Sequence, residues 1–125
     1  MKSDTTIEDA RGRVVCERCT VADRPLPRLR GLLGRRELPT GEGLLLRPAP
    51  SIHTWFMRFP IDAVFLSAEL EVLSVRSELP AWRMAAGRGA RAVLELAAGE
   101  AARRGVTSGS RLRIVANPKG AGHAK

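Results

Sequence analysis

The sequence predicts a mainly β protein, a single-domain antiparallel β-sandwich or jelly roll or else a small barrel, with about seven short strands and two short helices. Short apolar or alternating runs recur along the chain, and Gly- and Pro-rich turns separate them. The length of 125 residues suits one core. The 44% apolar and 27% charged residues are typical of a soluble globular protein.

The domain is expected to span residues 13–116, between two flexible tails. Residues 1–12 are largely polar without a periodic pattern, and residues 117–125 are rich in Gly. Residues 13–22 predict the first strand. A short helix should follow it, capped by Asp23 and marked by leucines at i, i+3 and i+7, namely Leu26, Leu29 and Leu33.

The middle of the chain predicts a buried strand at residues 44–46 and a hairpin around the turn at 67–69. Residues 76–89 follow neither the strand nor the helix period and are expected to form a loop. They include Trp82, and a loop of this length is often functional or folded over the core.

The last third of the domain predicts two more strands and a helix. Strand signals lie at residues 91–97 and 111–115. A short helix should cover residues 98–104 and end at Gly105.

The central segment, residues 52–62, has the most unusual composition in the chain. It brings bulky apolar side chains beside polar ones: Trp55, Phe56, Met57 and Phe59 beside His53, Arg58 and Asp62. Read as a strand, neither of its faces is purely apolar. Pro60 should break the ladder, which restarts after Asp62.

Two carboxylates, Asp62 and Glu95, lie in apolar sequence surroundings. A buried carboxylate is costly unless it is paired, so Arg35, Arg58 or backbone donors should lie nearby. In a structural interpretation, Asp62 caps backbone amides at the Pro60 break and Glu95 holds a loop or pairs with Arg. In a functional one, a carboxylate and Arg58 bind a small ligand or peptide under Trp55 or Trp82. A glycosidase-like acid–base pair is a third alternative.

No motif identifies a reaction, cofactor or metal. The chain has no G-x-S-x-G elbow, H-E-x-x-H helix or Walker-type loop. His53 is best interpreted as a hydrogen-bonded residue at a pocket rim or in the core. Cys16 and Cys19 fall in a predicted strand, where positions i and i+3 face opposite sides. Their spacing is therefore expected to be fortuitous, with a disulfide, a redox role or a shared metal site left open.

The charge of +8 and the pI near 11.1 indicate a basic surface. Nucleic-acid binding is disfavoured, because the five aromatic residues show no stacking pattern and no helix-turn-helix is evident. No apolar run approaches the roughly 18 residues of a membrane span, and no signal-peptide core is visible, so we expect a cytoplasmic protein without membrane contact.

Several motifs in order resemble the bacterial and archaeal family called domain of unknown function 192. The matching motifs are Arg30 to Arg35, Gly41 to Leu46, His53 to Asp62, Leu94 to Gly99 and Gly105 to Gly109. The resemblance covers about residues 13–116. It implies a compact β fold of the sandwich or jelly-roll kind, no established activity, and attention to Met57, Asp62 and Glu95. The chain departs from the family at residues 67–69, where an Asp-Gly turn is common, and at Ser110, where an Asp is.

We therefore predict a binding module or partner protein rather than an enzyme, for a small ligand or peptide not yet identified. Its predicted polar pocket comprises His53, Trp55, Met57, Arg58, Asp62, Glu95 and Arg35. A hydrolase using Asp62, Glu95 or His53 is the alternative. Nonspecific nucleic-acid binding through the basic surface is a further alternative.

Overall fold

The computed structural model describes residues 5–22, 38–49, 51–53 and 59–116. These residues confirm a mainly β fold, with nine strands rather than seven. The strands and the one described helix are β1 Thr5–Asp9, β2 Val14–Ala22, β3 Glu42–Leu46, β4 Ser51–His53, β5 Ile61–Leu66, β6 Val72–Leu79, β7 Met84–Ala86, β8 Ala92–Ala97, α1 Glu100–Arg103 and β9 Leu112–Ala116.

Seven strands form one sheet in the order β6-β5-β8-β3-β2-β1-β9, and β4 pairs with β7 in a small second sheet. The expectation of a purely antiparallel sheet is wrong, because β2 and β3 run parallel. A parallel pair needs a long crossover connection. Residues 23–41 provide that length between the two strands.

The large sheet curls until its two edges meet. Glu71 and Arg111 form an isolated antiparallel bridge between the segments that begin β6 and β9. Beside it, the Val72 N–H donates to the Ser110 carbonyl at 2.7 Å, and the Leu112 N–H donates to the Leu70 carbonyl at 3.0 Å. Of the predicted architectures, a small, partly closed barrel describes this arrangement best.

Two apolar clusters lie on the two faces of the curled sheet. The inner cluster draws on all seven strands and on α1: Ile7, Val15, Cys16, Cys19, Leu45, Val64, Leu66, Val72, Ala92, Leu94, Leu96, Ala101, Val106 and Leu112. The outer cluster lies between the large sheet and the small one: Ala22, Leu38, Leu44, Leu46, Ala49, Ile52, Ile61, Ala63, Phe65, Leu79, Ala85, Ala90 and Val93. Strands β5 and β8 contribute to both clusters and are therefore buried on both faces.

The chain departs from the sequence-based boundaries in three places. Residues 5–9, predicted to lie in a flexible tail, form β1, which pairs with β2 on one side and β9 on the other. The predicted loop at 76–89 is divided between the end of β6 and the short strand β7. The helix expected at 98–104 is the single turn α1, whereas the helix predicted from Asp23 lies outside the described residues.

In the described part of the chain no helix has the length and apolarity needed to cross a membrane.

The cysteine spacing is not that of a regular strand, so the prediction that the two thiols face opposite sides is wrong. Thr5 pairs with Cys19 and Ile7 with Cys16, so two steps along β1 match three along β2. The extra residue is a β-bulge, and Glu17 and Arg18 both remain exposed there. Both thiols consequently enter the inner cluster and are 0% exposed.

Small neighbours make room for this thiol pair. A Cβ on Gly43 would lie 2.8 Å from the Cys16 Sγ, so the missing side chain creates the space. The Cys16 thiol donates to the Gly41 carbonyl at 3.5 Å, and the Cys19 thiol donates to the Thr20 carbonyl at 3.7 Å. The neighbouring Cys16 thiol and burial together raise the pKa of the Cys19 thiol. A protonated, dry thiol is a poor nucleophile.

We expect both thiols to resist alkylation in the folded protein. Iodoacetamide labelling, followed by intact-mass spectrometry, should be slower in native buffer than in denaturant by about a hundredfold or more, because labelling requires opening of the inner cluster. Labelling at equal rates in both conditions would contradict the burial of the pair.

Candidate functional site

The structure describes three of the seven predicted site residues. Asp62 lies near the start of β5, Glu95 lies in the middle of β8, and the backbone of His53 ends β4 opposite Met84. The other four predicted residues, Trp55, Met57, Arg58 and Arg35, lie outside the described residues.

The Asp62 carboxylate is 0% exposed, and backbone amides satisfy both of its oxygens. The Glu78 N–H donates to Oδ1 at 2.8 Å. The Ala101 N–H, in the first turn of α1, donates to Oδ2 at 2.9 Å. The carboxylate therefore holds together three segments that are distant in sequence.

Each of the two amides needs an external acceptor. Ile61 pairs with Leu79 and Ala63 with Arg76, so β6 has an extra residue here, and Glu78 adopts a left-handed conformation with φ of 52°. The Ala101 amide is one of the first-turn donors that lack a partner within a helix. Asp62 therefore caps backbone amides, as the structural interpretation expected, but these belong to β6 and α1 rather than to the Pro60 break.

Asp62 and Glu95 lie on opposite faces of the sheet. Ala63 is directly opposite Glu95, and Asp62 is directly opposite Leu96. Paired residues share a face, so Glu95 lies with Ala63 of the outer cluster and Asp62 with Leu96 of the inner one. The expectation that both carboxylates border one pocket is therefore wrong. The same separation argues against a glycosidase-like pair.

The surroundings of the buried residue Glu95 differ from those of Asp62. The residue is 5% exposed, and within the described residues its carboxyl makes no hydrogen bond or ion pair. Burial raises its pKa to about 8. Near pH 7 the group is therefore mostly protonated, and it can donate one hydrogen bond and accept others.

The other buried acids of the described chain are satisfied. Glu100 pairs with Arg103 and Arg104, and the contact with Arg103 is the main cause of its lowered pKa. Burial by itself would raise the pKa of Asp9, but the backbone amides of Arg13 and Arg11 and the Arg13 guanidinium outweigh burial and lower it. Glu95 is therefore distinguished by its lack of a partner, not by burial alone.

A row of side chains crosses the outer face at the level of Glu95. Ala63 pairs with Arg76 on one side and with Glu95 on the other, and Glu95 also pairs with Leu44. Strands lie about 4.8 Å apart, so the Cα atoms of Arg76 and Glu95 are separated by about 10 Å, with only a methyl group between them. Arg76 is exposed. Along this row the outer face therefore carries the Arg76 guanidinium, the Ala63 methyl group and the Glu95 carboxyl.

The small sheet covers this row from outside. Ile52 and Ala85 point into the outer cluster, β4 packs against β8, and the partly buried Phe59 packs on the same cluster. In the described ranges no group of three or more His, Cys, Asp or Glu side chains is placed to hold a metal ion.

Sequence reasoning did not identify Arg76 as a neighbour of Glu95. The strand signal of residues 70–75 could have been extended through Arg76 to Leu79, which would have placed Arg76 on the strand. The pairing with Ala63 depends on a bulge in β6 that the sequence does not mark.

Removing the Asp62 carboxylate should destabilise the fold severely. Asp62→Ala leaves two buried amides without acceptors, and each lost hydrogen bond to a charged group costs about 1.5–3 kcal/mol. We expect urea denaturation to show a loss of about 3 kcal/mol or more, with a smaller loss for Asp62→Asn. The control is Glu69→Ala at an exposed turn, and a loss below about 1 kcal/mol for Asp62→Ala would contradict the capping role.

The buried Glu95 carboxyl should make stability decrease as pH rises. Its pKa is raised from 4.5 to about 8, so the folded state binds more protons than the unfolded state between these values. The free energy of unfolding therefore falls across that window, by at most about 1.4 kcal/mol per pH unit for this group, and levels off above it. Denaturation of the wild type and Glu95→Gln at several pH values should show this fall only in the wild type. A parallel pH dependence in both proteins would contradict it, and Glu69→Gln serves as the exposed control.

Comparisons with known proteins agree with this architecture. The chain is similar in structure to a protein from Sinorhizobium meliloti 1021 described as a "putative transcription regulator", with a TM-score of 0.76, 24% identity, and coverage of 88% of this chain and 91% of that one. It is also similar to a protein of unknown function from Novosphingobium aromaticivorans DSM 12444, with a TM-score of 0.72, 25% identity, and coverage of 87% and 82%. No curated protein matches the sequence. Residues 6–114 match the family DUF192, described as Uncharacterized ACR, so the chain belongs to the DUF192 family, as its motifs suggested.

Proposed function

We propose that this chain is a small-ligand binding protein and that its site is the outer face around Glu95. The observation that carries the proposal is Glu95, a residue only 5% exposed whose carboxyl makes no hydrogen bond or ion pair with the described residues. Burying an unpaired polar group costs free energy, and a ligand that bonds to it recovers that cost. A buried group with a strongly shifted pKa is a frequent mark of a functional site.

The side chains in the row across the sheet suggest which functional groups the ligand has. A protonated Glu95 matches an amide, because its O–H donates to a carbonyl and its own carbonyl accepts from an N–H. Arg76 lies two strands from Glu95 on the same face, with Cα atoms about 10 Å apart, and its guanidinium matches a carboxylate. Between them, Ala63 and the outer cluster offer apolar surface. A ligand of this kind resembles an N-acylated amino acid with an apolar side chain.

No side-chain oxygen of the described chain is both fully enclosed and without a hydrogen bond, so the small remaining exposure of Glu95 includes its carboxyl. Room for a ligand there requires displacement of the cover but not of the barrel. The small sheet contributes Ile52 and Ala85 to the outer cluster, and the segments that flank it contribute Ala49 and Ala90. Alanine buries little apolar area, so separating this cover costs less than opening the inner cluster.

Catalysis is not proposed for this site. A hydrolase needs a second acid, base or nucleophile beside Glu95. Backbone amides occupy Asp62 on the other face. In the row itself Glu95 is flanked directly by Ala63 and Leu44, and Thr20 lies one strand beyond Leu44.

N-acetylated amino acids with leucine or phenylalanine side chains are the probes that test this site. In ¹H–¹⁵N NMR titrations near pH 7, the amide signals of Ala63, Arg76 and Glu95 should shift in a saturable manner. Arg76→Ala should weaken binding by about tenfold. The matched control Arg11→Ala, which removes an exposed arginine from the β1–β2 turn, should leave it unchanged.

The chemistry of the probe provides a further control. N-acetyl-leucinamide lacks the carboxylate and should bind more weakly than N-acetyl-leucine. Binding of N-acetyl-leucine should also weaken above about pH 8, because an ionised Glu95 no longer donates a hydrogen bond to the ligand carbonyl. The proposal fails if no probe shifts these signals, or if Glu95→Ala binds as well as the wild type.

A further inference from the structure

A second feature of the protein lies on the outside of the small sheet. Three large apolar side chains in the described chain are exposed: Trp82 at 56%, Met84 at 64% and Ile114 at 36%. Trp82 and Met84 are two residues apart and are the most exposed. Tryptophan is highly buried on average, and an exposed Trp beside a Met is typical of binding surfaces.

The backbone holds this pair in a defined position. Trp82 adopts a left-handed conformation with φ of 63°, which a bulky residue rarely adopts without support from its surroundings. Strand β7 then begins at Met84, with Ala85 turned into the outer cluster and Met84 and Ala86 turned out. After β7, Gly87 lies so close to Phe65 that a Cβ would be 2.5 Å from that side chain. Both ends of β7 are therefore constrained.

The edge of β7 is suited to a further strand. Among the described strands β7 pairs only with β4, so its other edge has no strand partner there. An extended peptide can add to such an edge through backbone hydrogen bonds, while alternate side chains contact the surface on either side.

The chain segment that contains β7 is basic. Residues 79–94 contain three arginines and no acidic residue. Arg83, Arg88 and Arg91 are exposed, and the described residues provide no ion-pair partner for Arg88 or Arg91. Guanidinium groups carried on the same chain segment as an apolar anchor complement a peptide that alternates carboxylates with apolar side chains.

We propose that the Trp82–Met84 surface, formed by Trp82, Met84, Arg88 and Arg91 with the edge of β7, docks an extended acidic peptide segment of another protein. Apolar side chains of the peptide contact Trp82 and Met84, and its carboxylates pair with the arginines. A second copy of this chain is a poorer occupant, since two such basic surfaces repel each other. Single-stranded nucleic acid is also poorer, since it is bound through several stacking aromatics and the described surface offers one.

Fluorescence anisotropy of a labelled nine-residue peptide of alternating Glu and Val tests this surface. We expect saturable binding that weakens as salt rises from about 50 to about 150 mM. Trp82→Ala and Arg88→Glu should each weaken it by about tenfold or more. The matched controls are Ile114→Ala, an exposed apolar residue on β9, and Arg11→Glu, an exposed arginine of the β1–β2 turn. Neither control should change the affinity by more than about twofold.

Other peptides, an oligothymidine and a test for self-association distinguish between the possible occupants of this surface. A Lys–Val peptide, and a Glu–Pro peptide that cannot donate strand hydrogen bonds, should bind much more weakly than Glu–Val. Equal binding of either peptide, or equal losses in the control variants, would overturn the proposal. It would also be overturned by an oligothymidine that binds as tightly and depends equally on Trp82, or by self-association in light scattering that Trp82→Ala abolishes. Unchanged thermal unfolding of the variants confirms that they remain folded.

Discussion

The burial of β5 and β8 on both faces is the constraint on which the rest of this structure depends. Strand β5 carries one acidic residue, Asp62, and β8 carries one, Glu95, and both residues are buried. The Asp62 carboxylate accepts hydrogen bonds from two backbone amides, and these bonds fix the positions of β6 and α1. Glu95 meets no such donor in the described chain, and its raised pKa follows from desolvation alone. The same constraint thus produces a structural carboxylate on one face and, on the other, a carboxyl without a partner in the described part of the chain.

The sequence predicts those strands whose signal is local. β5, the hairpin to β6, β8 and β9 show apolar runs or alternation bounded by turns, and the structure forms them close to the predicted bounds. β1 carries only Ile7 as a large apolar residue, and it is a strand because β2 and β9 flank it. The bulge that turns both cysteines inward is likewise a property of the β1–β2 pairing. Pairing between distant segments is not encoded in local periodicity.

The burial of the two carboxylates could be predicted from the sequence, but their positions relative to each other could not. An Asp after Phe-Pro-Ile and a Glu between leucines indicate buried carboxylates, and both are buried. Their faces depend on register, because Asp62 is opposite Leu96 and not Glu95. A slip of one residue between β5 and β8 would have put both carboxylates on one face. No residue in either strand determines that alignment by itself; it follows from the fit of both apolar clusters at once.

The two proposed surfaces meet in one element, β7. Its inward residue Ala85 helps to cover the Glu95 row, and its outward residue Met84 belongs to the Trp82–Met84 surface. A ligand beneath β7 must displace the cover, whereas a peptide along β7 adds backbone hydrogen bonds that hold the strand in place. If one site changes the equilibrium position of β7, thermodynamic linkage requires that each occupant alter the affinity for the other by the same factor. Because the contact beneath β7 is small and rich in alanine, β7 can be displaced at a low cost in free energy without opening the barrel. The inner cluster and the Asp62 hydrogen bonds lie on the opposite face of the large sheet.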